Sequence, residues 1–171
     1  MSHELKYGLF LGVITVAFSA TLFLIDYKLF QNPVFASIPF VVNVAILFVA
    51  GFELRKKNDG YLTFKKALTS TFIIYAIAAT ITMIYTVLQY NVFTPDIAET
   101  LQKESLNQQV AIWESIGMSD EQIDAAAADA QSRNIFGLTW QLVGLAGNLV
   151  LGFVISLIVA AIVKKKEPEF I

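Results

Sequence analysis

The sequence predicts an all-α integral membrane protein: a bundle of four transmembrane helices, with both termini in the cytoplasm and an extracytoplasmic helical hairpin between spans three and four. Three observations predict this fold. Apolar residues make up 56% of the 171 residues and charged residues only 15%, whereas a soluble domain carries about 25% charged residues. The charges are confined to short stretches that separate four long apolar runs. Lysine and arginine are concentrated at the two ends of the chain and in its second connection.

The four apolar runs are each long enough to cross a bilayer. Uncharged residues fill positions 7–25, 29–52, 67–95 and 134–163. A hydrocarbon core of about 30 Å is crossed by roughly 20 helical residues that rise 1.5 Å each. The sequence therefore predicts one membrane domain over residues 1–171, with spans at about 7–26, 33–52, 67–90 and 136–163.

The orientation follows from the basic residues in the short connections. Nine of them lie in the N-terminal tail, the connection at 53–66 and the C-terminal tail: Lys6, Arg55, Lys56, Lys57, Lys65, Lys66, Lys164, Lys165 and Lys166. The opposite side holds three, namely Lys28, Lys103 and Arg133. Cytoplasmic connections carry the excess of lysine and arginine. We therefore expect a multi-pass protein of the cell inner membrane with a basic cytoplasmic loop at 53–66.

The outer loop, residues 96–133, is the one substantial polar segment, and its pattern predicts two helices. Eight acidic residues against Lys103 and Arg133 give it a local net charge of −6. Thr94 followed by Pro95 is typical of a helix start, and Ser119 followed by Gln122 is typical of a capping box. These signals predict helices at about 97–116 and 120–132, with a turn at Gly117.

Small residues recur at helical spacing in two spans. Gly8 and Gly12 form a GxxxG pattern in span one, which lets helices approach closely. Span four also has small or polar residues at a spacing of four: Gly144, Asn148, Gly152 and Ser156. One hypothesis is a dimer seam or a pore lining. The other, which we favour, is packing inside the bundle, because a small bundle must bury some face of each helix.

Polar side chains in span three form a candidate intramembrane stripe. Its members, with one residue of span four, are Thr71, Tyr75, Thr82, Thr86, Gln89 and Gln141. Hydrogen bonds between such helices average about 0.6 kcal/mol, so they select the register of packing more than they stabilise it. A hydrophilic path for a substrate is the alternative interpretation.

The sequence lacks residues that several classes of protein chemistry require. The chain has no cysteine and one histidine, His3. No Asp, Glu, Lys, Arg or His lies in the middle of a span, whereas ion-coupled transporters usually keep one there for function. We therefore predict no enzymatic activity, no cofactor, no metal site and no nucleic-acid partner. Anionic lipid headgroups are candidate partners for five lysines at the cytoplasmic side: Lys56, Lys57, Lys164, Lys165 and Lys166.

Short motifs connect the chain to a known family. Lys6-Tyr7-Gly8 with Gly12, and Asp59-Gly60-Tyr61-Leu62-Thr63-Phe64 with Ala67, resemble the four-pass bacterial membrane family called domain of unknown function 4199. The resemblance implies a small inner-membrane protein of Gram-negative, bacteroidete-like bacteria, and it transfers no site residue. We expect this protein to be an accessory or scaffold subunit that acts by forming a homo-oligomer or by binding a membrane protein partner. The alternative is a component of a small-solute transporter or channel that acts as an oligomer.

Overall fold

The computed structural model describes residues 1–167, except for the side chains of Phe30 and Gln31. Six α-helices account for most of the described chain. A short 3₁₀ turn (Tyr27–Gln31) and a π-helical turn (Gln89–Phe93) extend two of them. The helices are α1 (His3–Asp26), α2 (Pro33–Lys57), α3 (Phe64–Leu88), α4 (Pro95–Ser115), α5 (Asp120–Ser132) and α6 (Leu138–Val163).

Four of the helical segments are long and apolar enough to cross a membrane. They are His3–Leu29, Pro33–Lys57, Phe64–Phe93 and Leu138–Val163. Within residues 1–167 no β-strand occurs, and the one β-bridge joins Leu62 to Lys165. The all-helical class and the four apolar helices are thus confirmed.

Local sequence signals explain where the long helices begin and end. Ser2 caps α1 by accepting a hydrogen bond from the Leu5 amide at 3.2 Å, and Asn32 caps α2 ahead of Pro33 at the first helical position. Helix α2 ends where Asp59 and Gly60 both adopt positive φ. A left-handed residue at this point is the usual way to terminate a helix, and glycine adopts it without steric cost.

The chain forms two compact units, which we call the bundle unit (Met1–Thr82 and Leu145–Ile171) and the hairpin unit (Met83–Gly144). The bundle unit has a mainly apolar core with contributions from α1, α2, α3 and α6. Its most completely buried side chains include Leu11, Leu47, Ile74, Val159 and Val163, each 0% exposed. These apolar contacts hold the four segments together.

The hairpin unit contains α4 and α5, which occupy nearly the predicted ranges. Ser119 and Gln122 form the predicted capping box, and Gly117 has a φ of +80° between the two helices. Thr94 differs from the prediction, because its side chain makes no cap bond. Its hydroxyl instead donates to the Gln89 carbonyl at 2.9 Å. The π-helical turn leaves that carbonyl within reach, and the local bond replaces the cap.

Candidate functional site

A half-open cavity of about 260 Å³ lies between helices of the bundle unit, and Phe40, Asn148 and Leu151 on its wall are exposed. All four apolar helices contribute to its wall. The lining residues are Thr15, Pro39, Phe40, Asn43, Tyr75, Ala78, Ala79, Thr82, Asn148 and Leu151. Most of them lie near the middle of their helices, far from either end in sequence. The cavity therefore has a mostly apolar wall that includes five polar side chains, near the middle of the four candidate spans.

All five polar side chains of the cavity wall hold hydrogen bonds, and those of Thr15, Asn43 and Thr82 stay within their own helices. The Thr15 hydroxyl donates to the Leu11 carbonyl at 2.9 Å. The Asn43 amide donates to the Pro39 carbonyl at 2.6 Å. The Tyr75 hydroxyl donates to Oδ1 of Asn148, which joins α3 to α6. Because this last bond crosses between helices, it fixes the position of both side chains at the cavity.

The cavity is closed toward one end of the bundle. Leu47, Ile74 and Val159 each have no exposed surface, and they lie on the portions of α2, α3 and α6 nearer to the basic connection. Leu11 of α1 is equally buried. This half of the bundle unit therefore holds closely packed apolar side chains.

The glycines of span one pack against span three. A Cβ built at Gly8 would lie 2.7 Å from Cβ of Ile77, and one built at Gly12 would lie 2.7 Å from Cδ1 of Ile81. Both distances are shorter than real Cβ contacts. The GxxxG pattern therefore allows α1 and α3 to approach closely within one chain, as the packing hypothesis expects.

The small-residue stripe of α6 is only partly buried. Gly152 and Ser156 are buried, and a Cβ at Gly152 would overlap the Tyr75 ring. Gly144 and Asn148 are exposed, and a Cβ at Gly144 would meet nothing within 4 Å. The expectation of one inward face is wrong for Gly144. Residues four apart advance about 40° around a helix per step, so Gly144 and Ser156 differ by about 120°.

The polar stripe of span three satisfies much of its hydrogen bonding locally. The Thr71 hydroxyl donates to the Ala67 carbonyl at 2.9 Å, and that of Thr82 donates to the Ala78 carbonyl at 3.0 Å. In the hairpin unit, Thr86 is half-buried. Gln89 donates to Thr94 at 3.1 Å, and Gln141 donates to the Ile135 carbonyl at 2.8 Å. Tyr75 donates to Asn148 of α6, so this member of the stripe joins two long helices at the cavity.

A network at the basic end ties the three basic segments together. Leu62 and Lys165 exchange two backbone hydrogen bonds of 2.8 Å, which join the second connection to the C-terminal tail. Nε2 of His3 lies 3.0 Å from the Ala50 carbonyl, so the N-terminus contacts α2. Tyr7 donates to Glu53. Local sequence patterns could not predict these contacts, because each partner is distant along the chain.

The five candidate lipid-binding lysines differ in their surroundings. Lys57 pairs with Glu53 at 2.7 Å. Nζ of Lys164 lies 5.7 Å from the Phe64 ring centroid, and Nζ of Lys165 lies 5.6 Å from that of Tyr61. Lys56 and Lys166 are exposed. All five ammonium groups belong to the end of the bundle unit that the network closes.

The hairpin unit presents an exposed apolar tip above a small core. Ala98 and Leu101 of α4 and Ile123 of α5 are buried between the helices. At the end of α4, Ile112 is 58% exposed and Ile116 is 68% exposed. Since the flanks are acidic, the tip is an isolated apolar patch on a charged surface.

The hairpin is anchored at its base by polar contacts. The Gln102 amide donates to the Arg133 carbonyl at 2.7 Å, and the Asn91 amide donates to the Phe136 carbonyl at 2.7 Å. The Arg133 guanidinium lies 4.8 Å from the Trp140 ring centroid. These contacts fix the chain before α4 to the chain after α5, so the hairpin is an ordered element.

Within residues 1–167 no group of three or more His, Cys, Asp or Glu could hold a metal ion. A search of the curated proteins and of the solved structures found no match. The family described as "Protein of unknown function (DUF4199)" matches residues 6–165, nearly the whole chain. The chain therefore belongs to this family, as the motifs at residues 6–12 and 59–67 predict.

Proposed function

We propose that this protein is a multi-pass protein of the cell inner membrane that acts through association, as an accessory or scaffold subunit. Both termini and the basic connection at 53–66 lie in the cytoplasm, and the loop at 96–133, which contains α4 and α5, lies outside. Two observations support this orientation: nine of twelve basic residues fall on one side of the predicted topology, and Leu62 pairs with Lys165 across two basic segments.

The observation that carries the proposed function is the apolar tip of the acidic hairpin. Exposed apolar patches on a polar surface mark interaction sites. Ile112 and Ile116 supply such a patch, while the local net charge of −6 over residues 96–133 favours a basic partner surface. The partner is therefore a membrane protein whose extracytoplasmic part offers an apolar pocket with basic flanks.

Co-purification from native membranes tests this function. Proteins captured with the intact chain should be identified by mass spectrometry after cross-linking, and the capture should be repeated with Ile112→Ser/Ile116→Ser. We expect the amount of captured partner to fall about tenfold or more in this variant, because buried apolar anchors dominate the binding energy at an interface. Asn107→Ser, at an exposed site on the same helix, is the matched control and should retain the partner. Equal capture by all three proteins would contradict the proposal.

A second candidate function is supported by the cavity. A component of a small-solute transporter or channel would need a polar space near the middle of the membrane, and the 260 Å³ cavity is such a space. The fully buried residues at the basic half argue against an open pore in one chain. This alternative therefore requires an oligomer or a second conformation.

The lysines at the cytoplasmic end support a further element of the proposal, namely contact with anionic lipid headgroups. Juxtamembrane basic residues contribute about 1 kcal/mol each near an anionic surface. Lys56 and Lys166 are exposed, so both are available for such contacts. Lys57 is also paired with Glu53, which lowers its contribution.

A further inference from the structure

The two asparagines of the cavity have unmet hydrogen-bonding capacity. Oδ1 of Asn148 accepts from Tyr75, while within residues 1–167 no partner accepts from its Nδ2. Nδ2 of Asn43 donates to the Pro39 carbonyl, while no described residue donates to its Oδ1. One wall of the cavity therefore offers a donor and another offers an acceptor.

Unmet polar groups at this depth need a partner that the helices do not supply. An amide in an apolar environment loses its hydrogen bonds to water, and the loss is offset only when another polar group replaces them. Asn43 and Asn148 lie well inside α2 and α6, where lipid tails offer no such group. A molecule in the cavity would restore both bonds.

The remaining wall defines what kind of molecule fits. Phe40, Ala78, Ala79 and Leu151 are apolar, and no charged residue lines the cavity. A charged ligand would lose its hydration without an opposite charge to compensate. The volume of about 260 Å³ is well above the roughly 10–15 Å³ that one water molecule needs. The ligand is therefore small, uncharged and partly apolar.

We propose that this cavity binds an uncharged organic molecule through a hydroxyl or amide group. The oxygen of that group accepts from Nδ2 of Asn148, and its O–H or N–H donates to Oδ1 of Asn43. The apolar part of the molecule contacts Phe40 and Leu151. The site does not depend on the association function, because its residues all belong to the bundle unit.

Photolabelling of the full-length protein in phosphatidylcholine nanodiscs tests this site. The probe is octanol that carries a diazirine, and labelled peptides are identified by mass spectrometry. We expect saturable labelling of the helix segments around Thr15, Asn43 and Asn148. The matching diazirine alkane without a hydroxyl should not saturate. Competition by hexanol alone indicates a free solute as the natural source, and competition by a diacylglycerol indicates a lipid; either result supports the site.

Variants of the two walls make the test specific. Asn43→Leu and Asn148→Leu each remove one hydrogen-bonding side chain from the cavity wall. Each should raise the probe concentration needed for half-saturation about tenfold. Ala79→Leu fills the cavity while keeping both amides, so it should abolish saturable labelling even if an asparagine variant fails to fold. Thr80→Val is the matched control, because the Thr80 hydroxyl bonds the Ala76 carbonyl and lies outside the cavity. Labelling that is linear with probe concentration, or that survives Ala79→Leu, would overturn the proposal.

Discussion

Replacement of Gly152 by leucine should sharply lower the thermal stability of the monomer in detergent. A Cβ at this position overlaps the ring of Tyr75, which is 8% exposed and hydrogen-bonded to Asn148. Movement of the ring away from α6 breaks that bond. Overpacking of this kind costs about 1–3 kcal/mol of the free energy of unfolding. Thermal unfolding of the purified monomer, followed by a fluorescent reporter of aggregation, measures the loss.

Gly144→Leu is the matched control for Gly152→Leu. It makes the same substitution in the same helix, but a Cβ at Gly144 meets nothing within 4 Å. We expect its melting temperature to stay near that of the wild type. If Gly152→Leu instead leaves the monomer stable and abolishes a cross-linkable dimer, then the stripe of α6 is an oligomer seam and our interpretation of its packing is wrong.

Replacement of Gly8 by leucine should separate α1 from α3. The nearest atom to a built Cβ is Cβ of Ile77, at 2.7 Å. This atom is attached directly to the backbone of α3, so rotation of the side chain does not move it away. We expect a loss of stability of about 1–3 kcal/mol, comparable to that for Gly152→Leu. Urea or thermal unfolding in detergent, with helicity as the signal, measures it.

The control for Gly8→Leu lies on the same helix. Ala17 is exposed, so Ala17→Leu adds the same bulk to α1 without a neighbour to displace. It should leave the unfolding midpoint unchanged. A Gly8→Leu variant as stable as Ala17→Leu would show that the GxxxG pattern does not mediate packing between α1 and α3.

The long helices could be predicted because their signals are local. Run length and charge are enough to identify a span, since the bilayer imposes one length on every crossing helix. The capping box at Ser119 and the glycine at position 117 likewise specify their own backbone conformations. Each of these features depends on residues within a few positions of one another, and the structure reproduces them.

The cavity could not be predicted because its residues come from four helices. Local sequence does not distinguish Thr15 from Ser19 and Thr21 of the same span, or Asn43 from Ser37. The proximity of Thr15 and Asn43 depends on the rotation and depth of each helix, which packing decides. The same limitation explains Gly144: a spacing of four residues suggests one face, but the drift around α6 moves Gly144 away from the buried side. His3 and Glu53 acquire partners only through contacts between distant segments.

The proposed role depends on the hairpin unit lying on the opposite side of the membrane from both termini, and cysteine labelling tests this most directly. The chain has no native cysteine, so single variants can be made without a background signal. Asn107→Cys reports on the hairpin, Lys56→Cys on the basic connection and Glu167→Cys on the C-terminal tail. A membrane-impermeant maleimide is applied to intact spheroplasts and, separately, to lysed ones.

We predict that intact spheroplasts are labelled only in the Asn107→Cys variant, and that all three variants are labelled after lysis. Labelling of Lys56→Cys or Glu167→Cys in intact spheroplasts, or protection of Asn107→Cys, would contradict the account, because the hairpin would then not face a partner outside the cell membrane.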